Sequence, residues 1–221
     1  RVALETLVTW EKVVIAGEVT CPKSINYSNI ARKIIRELGY VKPEYHFTDK
    51  SDIEVFVHEQ SPDIAQGVDL DGAGDQGMMF GYAVEETKEL MPLPISLAHR
   101  LVETMDNLRE SKKIPYLRPD GKSEVKVAYE NSIPVGIERV NIVVPRDPKI
   151  SNSQLHEDIY NKLIKLQLAK YGFKMNKKDL TVEGTGKWEI GGPASDTGVT
   201  GRKIIVDTYG GMARIGGGAF S

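Results

Sequence analysis

A chain of 221 residues, 40% hydrophobic and 27% charged, is long enough for one large domain or two small ones and has the composition of a globular protein. Its formal net charge of −2, with Lys and Arg scattered along the chain, gives no electrostatic case for a nucleic-acid or membrane-surface partner. No apolar run approaches the roughly 20 residues needed to span a bilayer, no secretory leader pattern is visible, and a lone Cys21 excludes an intrachain disulfide framework, so a cytoplasmic setting is expected.

The chain opens on "VALETLVT" and "KVVIAGEVT", which alternate apolar and polar residues about a short turn at Trp10–Glu11 and read as a hairpin. "SNIARKIIRELG" follows as a helix, with Ile30, Ile34 and Leu38 along one face, Ser28 as its cap and Gly39 as its stop. "DIEVFVHE" is the next strand. Gln60 to Gly77 then has neither a helical nor a strand period and is rich in Gly, Asp and Gln, the pattern of a functional lid loop. It ends in "GAGDQGMMFGYA", whose glycines permit a tight turn or the close approach of a ligand, and whose run from Met78 to Tyr82 reads as the entry to a core. A helix starting at Pro94 presents Leu97, Leu101, Met105 and Leu108 to a core.

The strand-strand-helix-strand order then repeats. "SEVKVAYE" and "IERVNIVV" flank the turn Asn131–Gly136, and "NSQLHEDIYNKLIKLQLAKYG" is an amphipathic helix with Leu155, Ile159, Leu163 and Leu166 on one side. Ser151 with Gln154 fits a capping box, and "DLTVEG" closes the unit. Two copies of one small α+β unit is the economical reading.

Eleven of the 21 glycines lie from Gly184 onward, interleaved with Lys187, Asp196, Thr200, Arg202, Lys203, Asp207 and Arg214. Glycine turns expose backbone N–H groups that cradle anions, and Arg and Lys add charge-assisted bonds, so this stretch points to a polyphosphate site. Tight turns carrying solvated charges account for the same pattern. Lys187 is followed by Trp188, which rules out a Walker A loop, and no G-x-G-x-x-G opens a helix after a strand. His46, His58, His99 and His156 show no metal-ligand spacing, G-x-S-x-G is absent, and Glu5 and Glu18 read by themselves as solvent-face carboxylates of the first hairpin.

Taken together, "GAGDQGMMFGYA", "GGGAFS", "RPDGKSEV", "IGGPASDTGVTGRKIIVDTYGG" and "QSPDIAQGVD" occur in the order found in one family, and the chain resembles the S-adenosylmethionine synthetases (methionine adenosyltransferases) over essentially its whole length. The resemblance implies an α+β fold of repeated similar domains in a pseudo-threefold arrangement. Residues 1–67 are expected to form the N-terminal domain, with a gating loop at about 60–71, residues 72–187 the central domain, and 188–221 the beginning of the C-terminal domain. It implies the synthesis of S-adenosylmethionine from ATP and L-methionine, followed by hydrolysis of the tripolyphosphate to phosphate and diphosphate. It also implies two magnesium ions per site, potassium, and a dimer with shared active sites that can form a tetramer. Carried over by position, Glu5 is the potassium ligand, Glu18 and Gln60 contact methionine, and Asp120, Lys122 and Ala219 contact ATP. Asp196 serves both substrates, Arg202 and Lys203 bind phosphate, and Asp196, Arg202 and Lys203 form the catalytic set.

Three departures from the family accompany this assignment. The family's His-Pro-Asp-Lys and the Gly-Lys-Asp after its second signature have no counterpart here, so the chain is expected to be truncated at both ends and the magnesium ligands to lie outside it. Lys187–Trp188 stands where Arg-Phe is usual, leaving a cation for phosphate and an aromatic ring for adenine, and Ile215 stands where many members have His. The stretch from Val68 to Gly72 is shorter than usual. A non-catalytic nucleotide-binding homologue that pairs with an active subunit is the alternative reading.

Overall fold

The computed structural model describes residues 1–69, 72–73, 76–184 and 186–216. They fall into two compact units, one comprising residues 1–80, 192–204 and 214 onward and the other residues 81–191 and 205–213. Ala219 and Asp75 lie outside the described residues. No described helix is long and apolar enough to cross a membrane.

The first unit is built on a four-stranded sheet. Strands β1 (Val2–Thr9) and β2 (Lys12–Val19) form the expected hairpin, turning at Glu11 in the left-handed region. The chain then crosses through helix α1 (Tyr27–Glu37) to β3 (Asp52–His58), which pairs parallel to β2. The alternation in β2 sends Val13 and Ile15 into a core with Ile35, Tyr40, Tyr45 and Phe47. Gly17 sits in β2 with φ +134°, and a Cβ placed there lies 2.1 Å from the Ala3 carbonyl oxygen of β1. Gly17→Ala must therefore force the hairpin apart. We expect a loss of at least about 1–3 kcal/mol from backbone strain alone, read by denaturant unfolding; wild-type stability would contradict this packing.

Helix α1 corrects two expectations. Its cap is Asn26, whose side chain accepts from the Asn29 amide at 2.9 Å, not Ser28. The stripe turned inward is Tyr27, Ala31 and Ile35, while Ile30, Ile34 and Leu38 are exposed. Both stripes have the same i, i+4, i+8 spacing, so periodicity could not choose between them. Arginine contacts fix the rotation: Arg32 donates to the Asp49 and Ser51 carbonyls at 2.5 and 3.0 Å, and Arg36 to the Asp49 carboxylate at 2.9 Å.

The supposed aperiodic stretch from Gln60 contains a short helix, α2 (Pro62–Val68), with Pro62 at its first turn and the Ser61 hydroxyl accepting from the Asp63 amide. The run after it is also unlike its sequence reading. Met78 and Met79 are 65% and 91% exposed and belong to no helix or strand, so they do not begin a core.

The second unit repeats the topology. Helix α3 (Leu93–Glu110) turns Leu93, Leu97, Leu101, Met105 and Leu108 inward as its spacing predicts. Strands β4 (Lys122–Glu130) and β5 (Ile133–Val143) form an antiparallel hairpin whose turn narrows to Asn131 and Ser132, both with positive φ. A helical crossover then leads to β6 (Leu180–Val182), parallel to β5. The crossover begins as α4 (Asn152–Ile159), with Ser151 accepting from the Gln154 amide at 3.1 Å, passes through a π-turn at Tyr160–Ile164 and continues as α5 (Lys165–Lys170). The π-turn explains one more correction. Leu155, Ile159 and Leu163 are fully buried, but the wider turn rotates the helix beyond them, so Ile164, Gln167 and Leu168 are buried and Leu166 is exposed.

Two remaining segments complete the description. Strand β7 (Gly198–Val199) joins the first sheet beside β1, and a short helix α6 (Ile204–Asp207) follows. The strand-strand-helix-strand repeat expected from sequence is therefore present in both sheets, each an antiparallel hairpin extended by a parallel third strand, and the chain is α+β.

Candidate active site

In the first unit the sheet register aligns the acidic residues. Ala3 lies opposite Glu18 and Glu5 opposite Ala16, so Glu5 and Glu18 share one face of the β1–β2 ladder. Glu18 is also paired with His58 on β3, and its carboxylate lies 3.4 Å from His58 Nε2. His58 Nδ1 faces the Glu59 carbonyl at 2.8 Å. Two residues on, Gln60 buries its Oε1 with no hydrogen-bond partner. A buried amide oxygen without a donor is costly, which makes Gln60 a point where a ligand N–H would be welcome. Nothing in the spacing of the four histidines pointed to His58; its place beside Glu18 arises only when β2 and β3 pair.

The glycine-rich segment 192–204 belongs to the same unit. Its β7 residues pair with Leu7 and Val8, the Thr200 hydroxyl accepts from the Thr6 amide at 2.8 Å, and the Thr9 and Thr197 hydroxyls are 2.9 Å apart. Gly192 starts the segment with φ +74°, where any Cβ would meet the Tyr40 hydroxyl at 2.3 Å. Asp196 follows in a turn, its amide donating to the Gly192 carbonyl at 3.1 Å, and its side chain is exposed. Arg202 and Lys203 are exposed just before α6. The backbone of this segment is thus fixed by β1 while its charged side chains stay available to a ligand.

The second unit assembles the other assigned residues. Asp120 has φ +80° in "RPDGK", immediately before β4. The Arg118 guanidinium donates to the Glu189 carbonyl at 2.7 Å, linking that block to the residue after Trp188. Lys122, on β4, places its ammonium 4.8 Å from the centre of the half-buried Trp188 ring. Lys187 is exposed, with its ammonium bonded to the Pro148 carbonyl and 3.7 Å from the Glu189 carboxylate. Lys122 and Trp188, which come from two separate sequence blocks, are therefore in contact, a cation–π pair of the kind worth about 0.5–1 kcal/mol at an exposed site.

Magnesium and potassium fit these residues incompletely. Among the described residues no three His, Cys, Asp or Glu side chains converge as a metal would need. Glu5 offers one exposed carboxylate, an oxygen donor suited to a hard cation but only a fraction of a coordination shell.

Comparison with known proteins gives these residues a common context. Residues 1–62 match the family described as S-adenosylmethionine synthetase, N-terminal domain, residues 70–188 its central domain, and residues 190–221 its C-terminal domain. Proteins named S-adenosylmethionine synthase from Desulforudis audaxviator, Thermus thermophilus and Streptococcus agalactiae are 46%, 44% and 47% identical over the whole of this chain. The chain spans 60% of the length of each of these relatives. With residues 1–62, 70–188 and 190–221 matched to the three domains of a single enzyme type, the chain belongs to the S-adenosylmethionine synthetase family.

Proposed function

We propose that the whole protein is a methionine adenosyltransferase. It joins ATP and L-methionine into S-adenosylmethionine and then hydrolyses the tripolyphosphate to phosphate and diphosphate, as a cytoplasmic dimer with shared active sites, or a tetramer, that uses two magnesium ions per site and potassium. The observation that carries this reading on the chain's own residues is the contact between Lys122 and Trp188, which unites two blocks assigned independently to ATP.

The chemistry asks little of the protein in proton transfer. A thioether sulfur carries no proton, so its attack on the ribose C5′ needs no general base, in keeping with a site that has no nucleophile–base pair assigned to it. The C5′–O bond breaks as the S–C5′ bond forms, and tripolyphosphate leaves with the electron pair. What remains is orientation and charge. Aligning sulfur and C5′ supplies on the order of 7–11 kcal/mol of the barrier, and donors placed at the departing phosphate oxygens lower it further. Glu18 and Gln60 contact methionine, and Asp196 serves both substrates. Asp120, Lys122, Lys187 and Trp188 hold ATP, with the indole as the adenine platform, and Ala219 is a further ATP contact. Arg202 and Lys203 meet the phosphates. Glu5 is a potassium ligand, and the magnesium supplies charge neutralisation on the polyphosphate when bound. The described residues alone hold neither metal, so their part is binding and orientation.

Lys203 gives a direct test. Lys203 is exposed, so Lys203→Ala should leave the fold intact. A charge-assisted bond is worth about 1.5–3 kcal/mol, so ATP affinity should fall by roughly 10- to 100-fold, and its dependence on salt concentration should weaken because one cation–phosphate pair has gone. Titration of ATP into the whole protein at two ionic strengths measures both. Unchanged affinity removes Lys203 from the phosphate site.

A further inference from the structure

The least expected polar feature of the second unit is an ion pair with no exposure at all. Arg146, just beyond β5, and Glu183, just beyond β6, have side chains 0% and 1% exposed, with Arg146 Nη1 donating to Glu183 Oε2 at 2.6 Å. Such pairs contribute little net stability, because desolvation offsets their attraction. Their directional bonds remain, and here the two residues between them engage both backbone polar groups of Trp188.

The Trp188 amide donates to Glu183 Oε2 at 2.8 Å, and the Trp188 carbonyl accepts from the Arg146 amide at 3.2 Å. Both backbone polar groups of Trp188 are thus held by the two members of the pair. Glu183 Oε1 accepts from the Val144 amide at 3.0 Å at the end of β5, and the Glu183 amide donates to the Ile142 carbonyl at 3.0 Å. The Arg146 guanidinium is completed by Ile150 and Asn152, at the start of α4. Glu183 itself sits at φ +56° and Gly186 at φ +125°, and the described residues between β6 and Trp188 belong to no strand or helix that would set their direction. The ion pair supplies that direction, tying the indole-bearing residue to β5, β6 and α4.

We propose that Arg146 and Glu183 are positioning residues for ATP: they fix the Lys187–Trp188 segment so that the indole, with the Lys122 ammonium against it, is already placed to receive the adenine ring. Neither residue touches substrate in this account, and the proposal rests on the synthetase reading of Trp188. A fixed platform lowers the ordering cost of binding, and a misplacement of about 1 Å can cost roughly a hundredfold in rate.

The test uses the whole protein and two substrates, ATP and added tripolyphosphate, which carries no base. Glu183→Ala is expected to raise KM for ATP by about tenfold or more while hydrolysis of tripolyphosphate is unchanged. Trp188→Ala should likewise raise KM for ATP, and the double variant should lose little beyond either single change, because both act through one platform. Should Glu183→Ala fail to fold, Arg146→Lys, which keeps the charge but not the guanidinium fork, is measured in its place and should show the same split more weakly. Parallel loss of both activities, or full additivity with Trp188→Ala, overturns the proposal and leaves the pair a purely structural one. A wild-type protein that processes neither substrate counts against the synthetase reading instead. ATP titration then decides the pair: weaker binding by the Glu183 variant supports it, and equal binding overturns it.

Discussion

Replacing Asp196 by Asn is expected to impair the use of methionine and of ATP together. The turn that carries Asp196 is held by its neighbours, through the Asp196 amide to the Gly192 carbonyl, the Thr197–Thr9 hydroxyl pair and the β7–β1 ladder, and none of these uses the carboxylate. The substitution therefore removes a charge from an exposed, pre-positioned side chain without disturbing its support. If one carboxylate serves both substrates, two charge-assisted contacts go at once, each worth about 1.5–3 kcal/mol, and kcat/KM for each substrate should fall by roughly 10- to 100-fold. Steady-state kinetics with each substrate varied in turn measures this. A loss confined to one substrate would contradict the shared role.

Leu101→Ala is expected to be strongly destabilising. Leu101 is fully buried on the inward face of α3, between Leu97 and Met105, in a cluster that also contains Val140, Ile142, Leu155 and Ile159 from β5 and α4. Removing three side-chain carbons there leaves a cavity bounded by two elements of regular structure that cannot easily collapse, at a cost of about 2–5 kcal/mol. Urea unfolding followed by circular dichroism should show the second unit's transition at lower denaturant. An unshifted midpoint would mean that α3 does not pack against this cluster as described.

Where burial period and turn chemistry agreed, the elements were legible in the sequence. The hairpin about Trp10–Glu11, the inward row from Leu97 to Leu108 and the Ser151 cap all follow from local rules that tertiary packing did not override. The rotation of α1 was not legible, because the two candidate stripes have equal spacing and Arg32 and Arg36 choose between them through groups around Asp49. The exposure of Leu166 follows from a π-turn that no single residue type announces.

The candidate site divides in the same way. Its charged residues stand in motifs that resemble those of a known family, whereas their partners do not. His58 reaches Glu18 only through the parallel pairing of β2 and β3, and Arg146 finds Glu183 only when β5 and β6 end side by side. Residues that act through another residue leave no spacing to read.

The whole protein is proposed to make S-adenosylmethionine and to cleave the tripolyphosphate it releases. The most direct test mixes ATP, L-methionine, magnesium and potassium with the whole protein and follows S-adenosylmethionine and phosphate in the same reaction. Both products are expected to form, in a reaction that depends on both metals and in which Lys187–Trp188 functionally replaces the usual Arg-Phe. ATP binding with neither product formed would contradict it and mark the protein as a nucleotide-binding homologue without turnover.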